Sequence, residues 1–346
     1  MEEGLKQIAA KKAKLLTSGA VKLSSKAHLP FAPSRSTAGP GAGTIGIVIA
    51  FQGHRVKKAI TPDQGDFELV ETEKGYSLTY HDQPFLETVE VQPTLFHSPE
   101  QAFFNIETEC IYDCKFCTSR QLEKKITKNL TPDKIVRMIL DSAKRPDFKA
   151  VALTSAVVKT PELTVEKMIH IVTEVRKALG TGIPIGVEPY VDSLDQIDRL
   201  KLAGADEFKL NLETYDQRIF QKVCGELDLE WIMEALAHAV KVFGKGKVCS
   251  NIIIGMGESD ENALAGVRAL ATIGVVATLR PLRVNDLNRH ALEEALGKIE
   301  PIGEERLVRL AGEQKLILQE HKLTTLTFQT MCHSCTCCDI VPFRDI

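Results

Sequence analysis

Apolar and polar positions change rhythm once along this chain. From residue 101 onward, short apolar or β-branched runs alternate with longer stretches at helical spacing. The runs at 103–107, 150–155, 184–188, 207–213, 247–254 and 275–282 predict strands. The stretches at 131–144, 165–179, 194–203, 229–243 and 260–273 predict helices between them. A last helix at 304–321 and a strand at 324–329 add a seventh unit. This alternation predicts an α/β fold, a partial parallel (β/α) barrel of the TIM type with six to seven units and helices outside. In such a barrel chemistry gathers at the carboxyl ends of the strands.

The first hundred residues read differently. Positions 1–27 predict a basic amphipathic helix followed by a Ser/Thr-rich loop. Positions 44–51 predict a buried strand, and 67–72 with 76–81 predict a hairpin across Glu73-Lys74-Gly75. The division expected is 1–100 as a small α+β cap, 101–330 as the barrel, and 331–346 as a cysteine-rich tail. The run from Ser34 to Gly43 is glycine-rich but lacks the Gly-Lys-Ser/Thr ending of a phosphate loop, which favours a mobile or lid-forming turn.

Composition narrows the class. The chain has 346 residues, 44% hydrophobic and 26% charged, which suits a globular protein with a sizeable core. A net charge of −3 gives no sign of a nucleic-acid surface. No apolar run reaches the roughly 18 residues that span a bilayer, and positions 1–14 are charged without a secretory apolar core. No nucleic-acid or membrane partner is therefore expected. Nine cysteines at metal-ligand spacings, without a secretion signal, predict a reducing cytoplasm and metal binding rather than disulfides.

The chemistry concentrates after the first barrel strand. Cys110, Cys114 and Cys117 form a C-x3-C-x2-C pattern on one loop, with Phe116 before the last cysteine. Three thiolates can hold three irons of a cubane and leave the fourth open to a small molecule. This pattern resembles the signature of the radical S-adenosylmethionine (SAM) superfamily. The resemblance implies a [4Fe-4S] cluster whose open iron chelates SAM, one-electron cleavage to a 5′-deoxyadenosyl radical, and abstraction of hydrogen from a C–H bond. Phe116 would then lie beside the adenine.

Other strand ends extend the resemblance to the biotin-synthase group, over residues 101 to about 285. Thr154 and Ser155 stand where many members carry Gly-Gly-Glu against the SAM amino group. Glu188 ends the third strand and offers a carboxylate to the SAM ammonium or ribose. Asn211 and Glu213 alternate along the fourth strand, so both point inward, and they resemble the Asn-x-Asp-Thr strand end of biotin synthase with Glu for Asp. The run Val248-Cys249-Ser250-Asn251-Ile252-Ile253-Ile254-Gly255-Met256-Gly257-Glu258 resembles another of its strands. Gly255 and Gly257 fit a turn by the adenine. Cys249 lacks the cysteine partners of a biotin-synthase sulfur donor and reads as core, as does Cys224. Arg280 and Arg283 follow the sixth strand, and each could clamp a carboxylate or form a surface ion pair.

The tail carries Cys332, Cys335, Cys337 and Cys338 within seven residues. Such thiolates suit an auxiliary [4Fe-4S] cluster, or zinc with His333 as a further donor. A serine of Ser34-Arg35-Ser36 is a candidate remote ligand by analogy with lipoyl synthase. Sulfur-inserting relatives need a radical generator and a second cluster that gives up sulfide. The resemblance therefore implies one component of the two-protein, archaeal-type lipoyl synthase. Its partners would be a second radical SAM protein, an octanoylated carrier protein, and a reductant such as ferredoxin or flavodoxin. Two alternatives stay open: a radical SAM mutase, lyase or other cofactor-biosynthesis enzyme with an electron-transfer tail cluster, and a non-catalytic zinc or iron–sulfur scaffold.

Overall fold

The computed structural model describes residues 2–36, 44–118 and 130–346. Helix α1 (Glu2–Thr17) turns Ala9, Lys12, Ala13 and Leu16 inward, the spacing of one helical face. The strands that follow are β1 (Val21–Leu23), β2 (Ser34–Arg35), β3 (Ile45–Phe51), β4 (His54–Thr61), β5 (Phe67–Thr72), β6 (Gly75–Tyr80) and β7 (Gln83–Gln92). They form one sheet in the order β2-β3-β4-β1-β5-β6-β7, and β7 returns to pair with β3, so the sheet closes on itself. Closure removes the exposed edges that such short strands would otherwise present. The strand β3 and the β5–β6 hairpin match the sequence expectation to within a residue or two.

Four strands lie outside the sequence expectation, among them β2 at the start of the run expected to be a turn. The segment expected as a Ser/Thr-rich loop contains β1, which is too short to show a period but is held between β4 and β5. The strand β4 carries Arg55, Lys57 and Lys58 and so reads as polar; β7 carries Pro84 and two glutamates. The glycine-rich turn at 37–43 lies outside the described residues.

The barrel strands are β8 (Gln101–Asn105), β9 (Ala150–Thr154), β10 (Ile185–Glu188), β11 (Glu207–Lys209), β12 (Val248–Ile254) and β13 (Val276–Pro281). All pairings are parallel, in the order β13-β12-β11-β10-β9-β8. The sheet is a six-stranded partial barrel. The connecting helices are α2 (Pro132–Ser142), α3 (Pro161–Leu179), α4 (Leu194–Ala203), α5 (Gln217–Cys224), α6 (Leu229–Phe243) and α7 (Asp260–Thr272). Most start on a side-chain cap of the first turn: Thr131, Thr160, Asp216, Asp228 and Ser259 each accept from backbone N–H groups. Helices α8 (Arg289–Leu296) and α9 (Glu304–Glu320) follow the last strand.

No seventh strand forms: residues 325–327 make a 3-10 turn instead. A buried carboxylate holds the chain just after that turn. Glu207 at the start of β11 accepts from the backbone N–H of Gln329 and Thr330, at 2.9 Å each, and from the Thr330 hydroxyl. These donors are thereby withdrawn from any sheet ladder. The chain then crosses Gly186 of β10, where an added Cβ would sit 2.2 Å from Thr330 Oγ1. Only glycine permits that approach. Beyond it Met331 enters the barrel against Phe103 and Ala152, and a short helix α10 (Met331–Cys335) begins. The tail is thus threaded into the opening of the barrel rather than laid on its outside.

Candidate active site: two cysteine sets on one cavity

A cavity of about 280 Å³ occupies the barrel mouth, and its wall includes Cys110, Cys114, Cys117, Cys332, Cys335, Cys337 and Cys338. The two cysteine groups, at opposite ends of the barrel sequence, therefore face one space. Seven of the nine cysteines line it, and all nine are free thiols.

The loop triad is set by backbone bonds. Ile111 N–H donates to Val157 O at 2.7 Å and Lys115 N–H to Val223 O at 2.8 Å, pinning the loop on both sides. Cys117 N–H donates to Cys114 O at 3.0 Å and tightens the turn between them. All three thiols are half-buried. Burial pushes the Cys114 thiol well up, so its thiolate needs a cation or metal to offset the lost hydration. Three soft donors on a pinned loop, none of them in a disulfide, fit a cubane with one open iron. Phe116 lines the cavity, and its carbonyl accepts from Asn288 Nδ2.

Opposite the triad, the alternation of β11 and its extension builds a polar ladder. Glu207, Lys209, Asn211 and Glu213 share the inward face. Glu207 holds the incoming tail, as described. Lys209 donates to Glu188 at 2.8 Å and reaches Cys332 Sγ at 3.5 Å. Burial works against its charge, but Cys332 and Glu188 hold the ammonium above the ordinary lysine range. Asn211 Nδ2 donates to Glu188 at 3.0 Å. Glu213 sits at the mouth with φ +65°, and a bridge to Ile252 fixes it. Burial pushes its carboxyl up to about 7, and Glu188 adds to the shift against the pull of Lys209. Near neutral pH, Glu213 can therefore donate or accept a hydrogen bond.

Thr154, Ser155, Glu188, Asn211, Glu213 and Arg280 all line the cavity with Phe116. The guanidinium of Arg280 is engaged by the tail: it donates to Asp339 at 2.7 and 3.0 Å and to Cys332 Sγ at 3.1 Å. Gly255 and Gly257 have φ of +105° and +101°, and Glu258 accepts from the N–H of Gly255 and Met256. Neither glycine lines this cavity; Gly255 lines a neighbouring one. Lys209, Asn251 and His97 also face the cysteines without having been singled out in the sequence. The alternation that marks Asn211 and Glu213 already contained Lys209.

The tail cysteines lie among cations. Arg280 and Lys209 approach Cys332, and Lys57 N–H donates to Cys337 O at 3.0 Å. The Cys337 thiol interacts with Cys335, which lowers Cys335 below the ordinary thiol range and, with burial, raises Cys337. One of the two therefore deprotonates first. Cationic walls around several thiols, one of them acidified, suit thiolate ligation. His333 packs on Phe328 and Thr278 and does not line the cavity. Ser36 is buried, and its hydroxyl meets Lys57 and His97. Among the described residues no three His, Cys, Asp or Glu side chains converge on a single metal ion. Cubane ligands sit on separate irons and need no such convergence. Cys249 is buried on β12, and Cys224 is buried on α5.

Comparison with known proteins agrees with this geometry. Residues 105–268 match the family model of the radical SAM superfamily. A biotin synthase of Acinetobacter calcoaceticus is 29% identical over 56% of this chain and 60% of its own length. One from Campylobacter jejuni subsp. doylei is 25% identical over 62% of this chain and 79% of its own. A probable GTP 3′,8-cyclase of Thermococcus kodakarensis is 27% identical over 61% of this chain and 66% of its own. Among solved structures, methylornithine synthase has a TM-score of 0.49 at 20% identity, covering 62% of each chain. No helix among the described residues is long and apolar enough to cross a membrane. Residues 105–268 are thus similar to the radical SAM superfamily, and the chain is similar to biotin synthases over about 60% of its length.

Proposed function

We propose that this chain is a radical SAM enzyme that inserts sulfur at an unactivated carbon, with a second iron–sulfur cluster on its tail cysteines. The observation that carries the reading is the shared cavity: Cys110, Cys114 and Cys117 face Cys332, Cys335, Cys337 and Cys338 across a space of about 280 Å³. A purely structural tail site would have no reason to open onto the radical-generating centre.

When bound, the triad cluster with SAM supplies a 5′-deoxyadenosyl radical. The residues of this chain bind and orient around it. Cys110, Cys114 and Cys117 would hold that cluster, and Phe116 would flank the adenine. Thr154, Ser155, Glu188, Asn211 and Glu213 present donors and acceptors to the SAM amino acid and ribose. Glu213, balanced near neutrality, can adapt its proton to either. Arg280 and Lys209 approach Cys332 Sγ and would offset the charge of a thiolate ligand there. The interior position of the tail excludes bulk water from the space between the two sets, which limits quenching of a reactive intermediate.

The finer reading is one component of a two-protein lipoyl synthase, acting on an octanoyl group carried by a lysine of a carrier protein. The similarity to biotin synthases supports sulfur insertion as the reaction class. A second radical SAM protein and a ferredoxin or flavodoxin would complete the system. The test is anaerobic incubation with octanoyl-lysine peptide, SAM, reductant and partner protein, followed by mass spectrometry. Thiolated octanoyl peptide is the expected result. SAM cleavage without any sulfur-containing product would move the tail cluster to electron transfer, as in a mutase or lyase.

A further inference from the structure

A second cavity, about 410 Å³, lies beside the first and shares His97, Arg280 and Cys338 with it as a common wall. Its far side is built by the amino-terminal unit, from the end of α1 and from β4, and by the segment after β13. Its charge is one-sided. Lys57, Lys58, Arg280, Arg283 and Arg289 line it, and among the described residues Glu300 is the one lining carboxylate. Glu300 is exposed and already paired with Lys298.

Some of these cations are spoken for. Arg280 is bound to Asp339, and Arg289 approaches Glu293 at 3.7 Å. Lys57, Lys58 and Arg283 have no carboxylate partner among the described residues. Lys57 donates to Ser36 Oγ at 2.8 Å and meets His97 Nδ1 at 3.1 Å. Lys58 donates to Leu15 O and Ser18 O, at the carboxyl end of α1. Burial, with a smaller push from nearby Arg283, lowers Lys57 to about 8 and Lys58 to about 7. The tail thiols pull Lys57 back up, and exposed Asp66 does so for Lys58. His97 is held neutral by burial and by these same cations.

Lys57, Lys58 and Arg283 line one partly apolar enclosure without a carboxylate partner among the described residues, an arrangement that an anion would complete. The other walls include Leu16, Leu282, Pro301 and Ile302. We infer that this second cavity is an anion-binding subsite, in which Lys57, Lys58 and Arg283 hold a carboxylate or phosphate of an amphiphilic ligand whose apolar part lies toward the cysteine-lined cavity. An anion seated there would be separated from the tail cysteines only by the wall that includes Cys338 and His97. The subsite would thus take an anionic amphiphile distinct from the octanoyl-lysine amide, whose acyl group has no charged end, and hold it by binding energy away from the chemistry.

The inference does not depend on what the tail cysteines hold, because its test reads binding rather than turnover. Anaerobic full-length protein is titrated calorimetrically with octanoate, octyl phosphate and uncharged octanamide, in wild type and in Arg283→Gln. Among the described residues the Arg283 guanidinium makes no hydrogen bond or ion pair, and thermal melting of the variant checks its fold. The expected result is that one or both anions bind at least about tenfold more tightly than the amide, and that Arg283→Gln removes most of that preference. Whichever anion binds more tightly identifies the head group. Equal binding of anion and amide, absence of anion binding, or an anion affinity unchanged in a folded Arg283→Gln would overturn it. In the last case the cations serve only the tail thiolates.

Discussion

Alanine at Cys114 abolishes SAM cleavage while leaving the fold in place. The triad loop is held by Ile111 N–H on Val157 O and Lys115 N–H on Val223 O, not by the thiols themselves. Removing one thiol therefore leaves the loop where it was. It also leaves one iron of a cubane without a ligand, and that cluster has no cysteine to spare on the loop. The yield of 5′-deoxyadenosine under reducing conditions should fall by at least about a thousandfold, which corresponds to roughly 4 kcal/mol of lost transition-state stabilisation. The melting temperature of the cluster-free protein should shift little, because the Cys114 thiol makes no hydrogen bond among the described residues. Cleavage at an appreciable fraction of the wild-type rate would show that the cluster sits elsewhere. A collapse of the fold would show that the thiol is structural.

Lys12→Met produces the largest loss of stability. Lys12 lies on the buried face of α1 and is itself 0% exposed. Its ammonium donates to Asp345 Oδ2 and to Thr336 O, each at 2.6 Å. Asp345 is 2% exposed and also accepts from Val341 N–H at 2.6 Å. Removing one partner of a buried pair leaves an uncompensated charge, at a cost of about 3–5 kcal/mol. The bond to Thr336 O lies between Cys335 and Cys337, so the same change loosens the tail at its cysteines. Urea unfolding should show a markedly lower midpoint for Lys12→Met. Lys12→Met with Asp345→Asn should recover part of the loss, because the second change removes the orphaned charge. A midpoint unchanged from wild type would mean that α1 and the tail are not joined in this way.

Much of the barrel was legible because its signals are local. The strands β8 to β13 carry compact apolar runs, and the caps Thr131, Thr160 and Ser259 mark helix starts in the sequence. The triad was legible for the same reason, since three cysteines on one loop need no tertiary information. Period two on β11 pointed Asn211 and Glu213 inward, yet the same period also placed Glu207 and Lys209 there. Those two were passed over because their partners, Thr330 and Cys332, come from a distant part of the chain. The expected seventh strand at 324–329 is absent, and Glu207 holds the backbone N–H of Gln329 and Thr330 just where that strand would end. The closed amino-terminal sheet was hidden by composition, because β4 is lysine-rich and β1 has three residues. Nor could spacing reveal that the tail cysteines and the triad meet, since that convergence depends on Gly186 letting the chain pass.

The measurement that bears most directly on the two-cluster cavity is an anaerobic iron and sulfide count with Mössbauer spectra. It compares wild type with a variant carrying alanine at Cys332, Cys335, Cys337 and Cys338. The two-cluster account predicts about eight irons in the wild type and about four in the variant, with the triad cluster still binding SAM. An iron content that is the same in both proteins would contradict it and leave a single radical-generating centre at Cys110, Cys114 and Cys117.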